Sequence, residues 1–211
     1  MHLLGNLRVW VLLANLALPL GARAADSEKE TAEEPETEFP SPDGQFAFRT
    51  KGDDENVPKT YELIRFKSGK VLARVADSNA EIGPSARFQM AVLWRPDSQA
   101  FALTATLWKR SSGVKVYVRD GTNFREIQIP ELLAEIPDQE KGGKSFPHIV
   151  SLNAQSATRW LKDGSLVLKI QSIQDGEGSM ITATRTVTLG FNSKGKAHVQ
   201  KSTVKYTTEA L

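Results

Sequence analysis

Trp94-Arg95-Pro96-Asp97-Ser98-Gln99-Ala100-Phe101-Ala102-Leu103-Thr104-Ala105-Thr106-Leu107 decides the fold. Its first part is turn chemistry: proline presets φ, and an aspartate carboxylate accepts backbone N–H groups just downstream. From Gln99 the chain reads as a strand. Ala100, Phe101, Ala102, Leu103, Ala105 and Leu107 put apolar side chains on both of its faces, with small ones on one of them. Successive strand residues point to opposite faces, so a strand written this way is covered on both sides. A second layer of sheet must pack against it, which excludes a single sheet open to water.

Outward from this stretch, from Gln45 onward, short apolar runs alternate with Gly, Pro, Asp and Asn, with little helical periodicity. Strands are expected over 45–50, 59–66, 70–75, 87–94, 99–107, 114–119, 124–129, 157–161, 165–172, 180–190 and 196–206. Val114, Val116 and Val118 alternate with Lys115, Tyr117 and Arg119; Leu166, Leu168 and Ile170 alternate with Ser165, Lys169 and Gln171. Ser68-Gly69, Asp120-Gly121, Asp163-Gly164 and Lys194-Gly195 supply turns. Thr182, Thr184, Thr186 and Thr188 form a row on one strand face, read as a solvated face with cross-strand hydroxyl pairing. One short helix is expected from Pro130 to Ile136: proline suits its first position, Glu131 its positive dipole end, and Pro137 stops it. Pro137 to Pro147, with Gly142-Gly143, reads as a mobile loop.

The deciding turn recurs. Pro40-Ser41-Pro42-Asp43-Gly44-Gln45-Phe46-Ala47-Phe48 and Trp160-Leu161-Lys162-Asp163-Gly164-Ser165-Leu166-Val167-Leu168 share its plan: Asp before Gly or Ser, a polar residue, then an apolar triplet. Trp94 and Trp160 each stand three residues before the Asp. The structural turn residues are therefore Asp43, Gly44, Trp94, Asp97, Trp160, Asp163 and Gly164. These stretches resemble the TolB-type β-propeller repeat, a tryptophan followed by Ser-Pro-Asp-Gly and an apolar strand. The resemblance implies four-stranded blades in which the motif joins the first and second strands. It maps 87–129 to one blade, 157–206 to another and 45–75 to three strands of a third. It also implies protein contacts, as in that family. Propellers close with about four to eight blades, and this chain makes at most three. The expected fold class is all-β, with antiparallel meanders in stacked sheets. Two forms are compatible, an open propeller-like array of about three blade-like units or a β-sandwich. Completion of a ring by self-association is a third.

Arg8, the apolar run from Val9 to Leu20 broken by Asn15 and Pro19, and Ala22-Arg23-Ala24 have the layout of a secretory signal peptide cut after Ala24. The rival reading is an uncleaved anchor, but the run is shorter than the roughly 20 apolar residues a span needs. The chain has no cysteine, which removes disulfides, thiol catalysis and thiolate metal sites together. Residues 26–38 hold seven acidic residues against one lysine, a composition that cannot bury enough surface to offset its ordering entropy. The expected division is a signal peptide over 1–24, an acidic disordered lead-in over 25–40 and a single all-β domain over 41–211. Residues 39–211 carry 24 Lys and Arg against 18 Asp and Glu. Those cations are scattered, which together with export speaks against a nucleic-acid partner.

His148 and His198 are the histidines beyond the signal peptide. His198, among Lys196, Gln200 and Lys201, reads as an exposed strand residue. His148 ends the loop after Phe146-Pro147, a better place for function. No Gly-x-Ser-x-Gly elbow occurs, and no histidine has a partner at metal-ligand spacing; neither a cofactor nor a metal is expected. Gly52-Asp53-Asp54-Glu55-Asn56 and Gln174-Asp175-Gly176-Glu177-Gly178 are oxygen-rich but lack the spacing of a calcium loop, and read as hairpin turns. Trp108, Lys109 and Arg110 put an aromatic beside two cations at a hairpin. Such a group stacks on a sugar or holds an anion, or else simply closes the core edge beside solvated charges. The expected function is an exported, periplasmic or secreted, non-catalytic binding or scaffolding module of the cell envelope. It would meet a protein or glycan through Trp108, Lys109, Arg110 and His148. Two alternatives stay open: a hydrolase or accessory domain with His148 and Asp138 or Glu140 in a loop-lined cleft, and a self-associating structural β-protein.

Overall fold

Strands account for most of what the structure, a computed structural model, describes: residues 37–51, 60–77, 90–108, 111–192 and 195–211. The expected signal peptide, the lead-in as far as residue 36 and the oxygen-rich turn at 53–56 lie outside these residues. At Thr37 the lead-in is already ordered, because β1 (Thr37–Glu38) pairs antiparallel with β2 (Phe46–Lys51). Phe39 anchors it, its ring meeting that of Phe48 edge-on at 6.3 Å.

With β3 (Thr60–Arg65) and β4 (Lys70–Asp77) these strands make the first sheet, in the order β1-β2-β3-β4. The second sheet holds β5 (Met90–Trp94), β6 (Ala100–Trp108), β7 (Ser111–Asp120) and β8 (Asn123–Ile127), again in chain order. The third holds β9 (His148–Trp160), β10 (Leu166–Gly176), β11 (Ser179–Phe191) and β12 (Ala197–Ala210). Each is an antiparallel four-stranded meander, so the protein is all-β with stacked sheets. No helix among the described residues is long and apolar enough to cross a membrane.

The packing follows from β6. Phe101 and Leu103 enter one core with Phe46, Phe48, Leu63 and Val75 of the first sheet. Ala102 points the other way, into a second core with Leu166, Leu168, Ile170, Val187 and Leu189 of the third. Strand β7 divides likewise: Tyr117 joins the first core, and Val114 and Val116 join the second. The second sheet is therefore covered on both faces. Each fully buried Phe or Leu contributes about 1.5–3 kcal/mol, and both cores draw on the middle sheet.

The helix expected over Pro130 to Ile136 is absent, and the chain there is irregular. Leu132 and Ala134 are buried in the second core while Glu131 and Glu135 face solvent. That is the alternation of an extended strap. Its backbone partners come from the third sheet rather than from itself. The Ala134 N–H donates to Asn153 Oδ1 at 2.7 Å, and the Leu133 carbonyl accepts from Arg185 Nη1 at 2.8 Å. Packing two apolar side chains and satisfying these groups outweighs local helix propensity. Asn153 itself holds φ 47° in β9, where the pairing with β10 slips register, and its N–H donates to Ser172 Oγ at 3.0 Å.

Asn153 thus serves the left-handed backbone and the strap together. Asn153→Ala should lose about 2 kcal/mol, through an unsatisfied Ala134 N–H and a strained φ. Asn153→Gly relieves the strain alone and should fall between Ala and the parent protein in urea midpoint.

Candidate functional site

Three turns of one design join the first strand of each sheet to the second. Asp43 Oδ1 accepts from the Gln45 N–H at 3.0 Å, Asp97 Oδ1 from Gln99 at 3.0 Å and Asp163 Oδ1 from Ser165 at 2.9 Å. The apex residues Gly44, Ser98 and Gly164 have φ of 65°, 57° and 82°. Serine is unusual in that region, and Ser98 has a reason to be there: its Oγ accepts the Asp43 N–H of the neighbouring turn at 3.0 Å. Glycine would ease the backbone and lose that bridge. At the next junction Arg95 lies over the Trp160 ring, 5.9 Å from its centroid.

Two indoles fasten the sheets together. Trp94 Nε1 donates to the Phe39 carbonyl at 2.9 Å, and Trp160 Nε1 donates to the Leu93 carbonyl at 3.0 Å. Phe39 and Leu93 each stand four residues before the turn aspartate, so the two latches are equivalent. Trp94 also packs against Phe101, Phe124, Phe48 and Phe46, with centroids 4.9–6.3 Å away. Pro40 takes the tryptophan place in the first repeat.

The turn carboxylates are held electrostatically. Burial pushes Asp43 upward, but hydrogen bonds from the Ser41 hydroxyl and the Gln45 amide outweigh it and leave the carboxyl below its ordinary value. At Asp97 burial is likewise outweighed, chiefly by Arg95 at 2.7 Å. The Ser165 backbone N–H lowers Asp163. Tyr117, buried and beside Glu126, is pushed well above the usual tyrosine range.

The remaining expected residues are placed as follows. Lys109 and Arg110 lie outside the described residues, and the Trp108 backbone ends β6, paired with Ser111. His148 is exposed and opens β9 rather than closing a loop; its partner across the strands is Asp175. Asp138, 94% exposed, is bound by Lys141 at 2.8 Å, which lowers its carboxyl. The turn at 175–178 is a hairpin with positive φ at Glu177 and Gly178. Gly176 is required beneath the 137–147 segment, where a Cβ would collide with the Ser145 carbonyl and Pro147. No group of three or more His, Asp or Glu that could hold a metal occurs among the described residues. A groove of about 380 Å³ runs between the strap and β12, lined by Glu131, Leu133, Glu135, Arg185, Val204 and Tyr206 among others. His148, Asp138 and Glu140 do not line it.

A further feature is the side of the third sheet that faces away from the second, where Arg159, Thr186, Lys201, Thr203 and Lys205 are exposed. Ala183, Val187 and Leu189 of β11 enter the core, so Thr182, Thr184, Thr186 and Thr188 point outward. Pairing sets their neighbours. Lys201 lies beside Thr188 and Arg159 beside Val167 in one rank; Lys169 and Thr203 flank Thr186 in the next; Gln171 and Lys205 flank Thr184 in the third. Gln171 Nε2 donates to Thr184 Oγ1 at 3.1 Å, fixing that rank. The threonine row was readable from one strand alone. The flanking cations were not, because they reach it only through non-local register.

Comparison of the sequence with protein-family models finds no match, and no curated protein matches it significantly.

Two measurements check the turns and latches. Trp160→Phe removes one hydrogen bond worth about 1 kcal/mol and should lower Tm by about 2–4 °C; an unchanged Tm would mean the latch contributes nothing. The three aspartates are depressed from 3.8 in the fold. Their contribution is therefore complete above that value and drains away as pH falls through the folded values. Replacing all three with Asn should flatten the fall of Tm below pH 3.8 relative to the parent protein.

Proposed function

We propose that the chain is an exported, non-catalytic binding or scaffolding module of the cell envelope, presenting the outward face of its third sheet to a partner. The carrying observation is that face: outward-pointing, partly exposed and patterned with hydroxyls and cations, on a sheet fastened to its neighbour from behind. Rigid strands hold a binding surface more precisely than loops do. The motif residues Asp43, Asp97, Asp163, Trp94 and Trp160 are engaged in turns and latches, which supports a scaffolding role for them. The TolB-type resemblance is supported by the position of all three turns, each between the first and second strands of a four-stranded meander. The protein contacts of that family enter by analogy.

We read the array as open. With Pro40 in the tryptophan place, the first sheet has no indole at that position to fasten a further sheet, so ring closure between copies would lack the latch that joins sheets within the chain. Export rests on the signal-peptide layout of residues 1–24.

Immobilised residues 25–211 should retain the same partner from envelope extract in repeated preparations. Thr184→Glu with Thr186→Glu, which leaves the inward face untouched, should reduce recovery at least fivefold. Recovery no better than a blank column, or one indifferent to these changes, refutes the reading.

A further inference from the structure

We infer that the outward face of the third sheet binds an anionic polysaccharide, a polymer carrying sulfate or carboxylate groups among free hydroxyls. The inference rests on the binding-module reading and supplies its ligand class. Arg159, Lys169, Lys201 and Lys205 share this face across three ranks that contain no acidic side chain. Among the described residues none of the four makes an ion pair. Their charges are uncompensated where they stand.

Spacing selects a polymer. Strands lie about 4.8 Å apart and same-face residues about 6.7 Å apart along a strand. Arg159, Lys169 and Lys205 therefore fall on a diagonal with gaps on the order of 8 and 12 Å, and Lys201 sits about 13 Å from Lys205. One small anion needs donors that converge on it, whereas cations this far apart match anionic groups repeated along an extended chain. Between them lie the hydroxyls of Thr184, Thr186, Thr188 and Thr203, each both donor and acceptor. A polyol chain pairs with such a surface throughout its length.

Other polyanions fit less well. Insertion at a lipid surface needs exposed apolar side chains, and the apolar members of these ranks are Ala154 and the buried Val167. Single-stranded nucleic acid stacks on aromatic rings, and the ranks hold none. An acidic peptide laid flat on a sheet face would find no ladder for its N–H and C=O groups; peptides add to sheet edges instead.

The purified chain is titrated by calorimetry with dextran sulfate, uncharged dextran of equal length, polyglutamate, and vesicles containing phosphatidylglycerol. Dextran sulfate should bind tightest, with affinity falling at least tenfold as salt rises from about 0.05 M to 0.3 M, since exposed charges are screened within about a Debye length. The combined Lys169→Gln, Lys201→Gln and Lys205→Gln protein should bind at least tenfold more weakly. Removing three exposed lysines elsewhere, Lys67→Gln, Lys70→Gln and Lys144→Gln, should change affinity less than twofold. The inference fails if dextran sulfate does not bind, if both triple variants lose affinity equally, or if polyglutamate or the vesicles bind more tightly. A partner that is still recovered from extract and lost on Thr184→Glu with Thr186→Glu would then leave the binding-module reading standing.

Discussion

Phe101 and Ala102 are adjacent in sequence and belong to different hydrophobic cores, and the remaining architecture follows from that division. A strand buried on both faces cannot exist at a surface, so β6 fixes the second sheet as the middle layer. The large ring of Phe101 meets Phe48 of the first sheet edge-on at 5.3 Å, flanked by Trp94 and Tyr117 of its own sheet at 4.9 and 4.8 Å between centroids. The small Ala102 admits the branched side chains of the third sheet from the opposite side. Size is matched to size on each face, as close packing requires.

The indoles convert this sandwiching into alignment. Non-directional burial would let two sheets slide over each other at little cost, whereas Trp94 and Trp160 each bond one carbonyl of the preceding sheet. The bridge from the Asp43 N–H to Ser98 Oγ and the placement of Arg95 over Trp160 act at the same end of the sheets. The carboxylates of the recurrent motif are shifted by these structural contacts: Asp97 and Asp163 by neighbours within their own turns, and Asp43 by Ser41 and Gln45 of its turn together with Ser98 and Arg119 of the second sheet.

Much of the fold was legible because its signals are local. The two-faced strand, the Asp-Gly turns and the equivalence of Trp94 with Trp160 are all visible within a dozen residues. What escaped depends on distant partners. The stretch from Pro130 to Ile136 has good helical chemistry but is claimed by Asn153 and Arg185. Strand β9 begins at His148 rather than near 157, because the left-handed Asn153 interrupts the period-two pattern. Thr37 and Phe39 sit within an acidic composition, yet Thr37 pairs with Arg49 and Phe39 is held by Phe48 and Trp94. Of the candidate site, the threonines could be read; Arg159, Lys169, Lys201 and Lys205 are spread over three strands whose alignment no single segment encodes.

Both latches point one way: each indole reaches back to a carbonyl delivered earlier in the chain. In a polypeptide that emerges amino end first, the acceptor of each latch therefore precedes its indole. Every new meander arrives carrying its own clasp for the surface already waiting. Along the chain, carbonyl and clasp alternate in the order the sheets themselves follow.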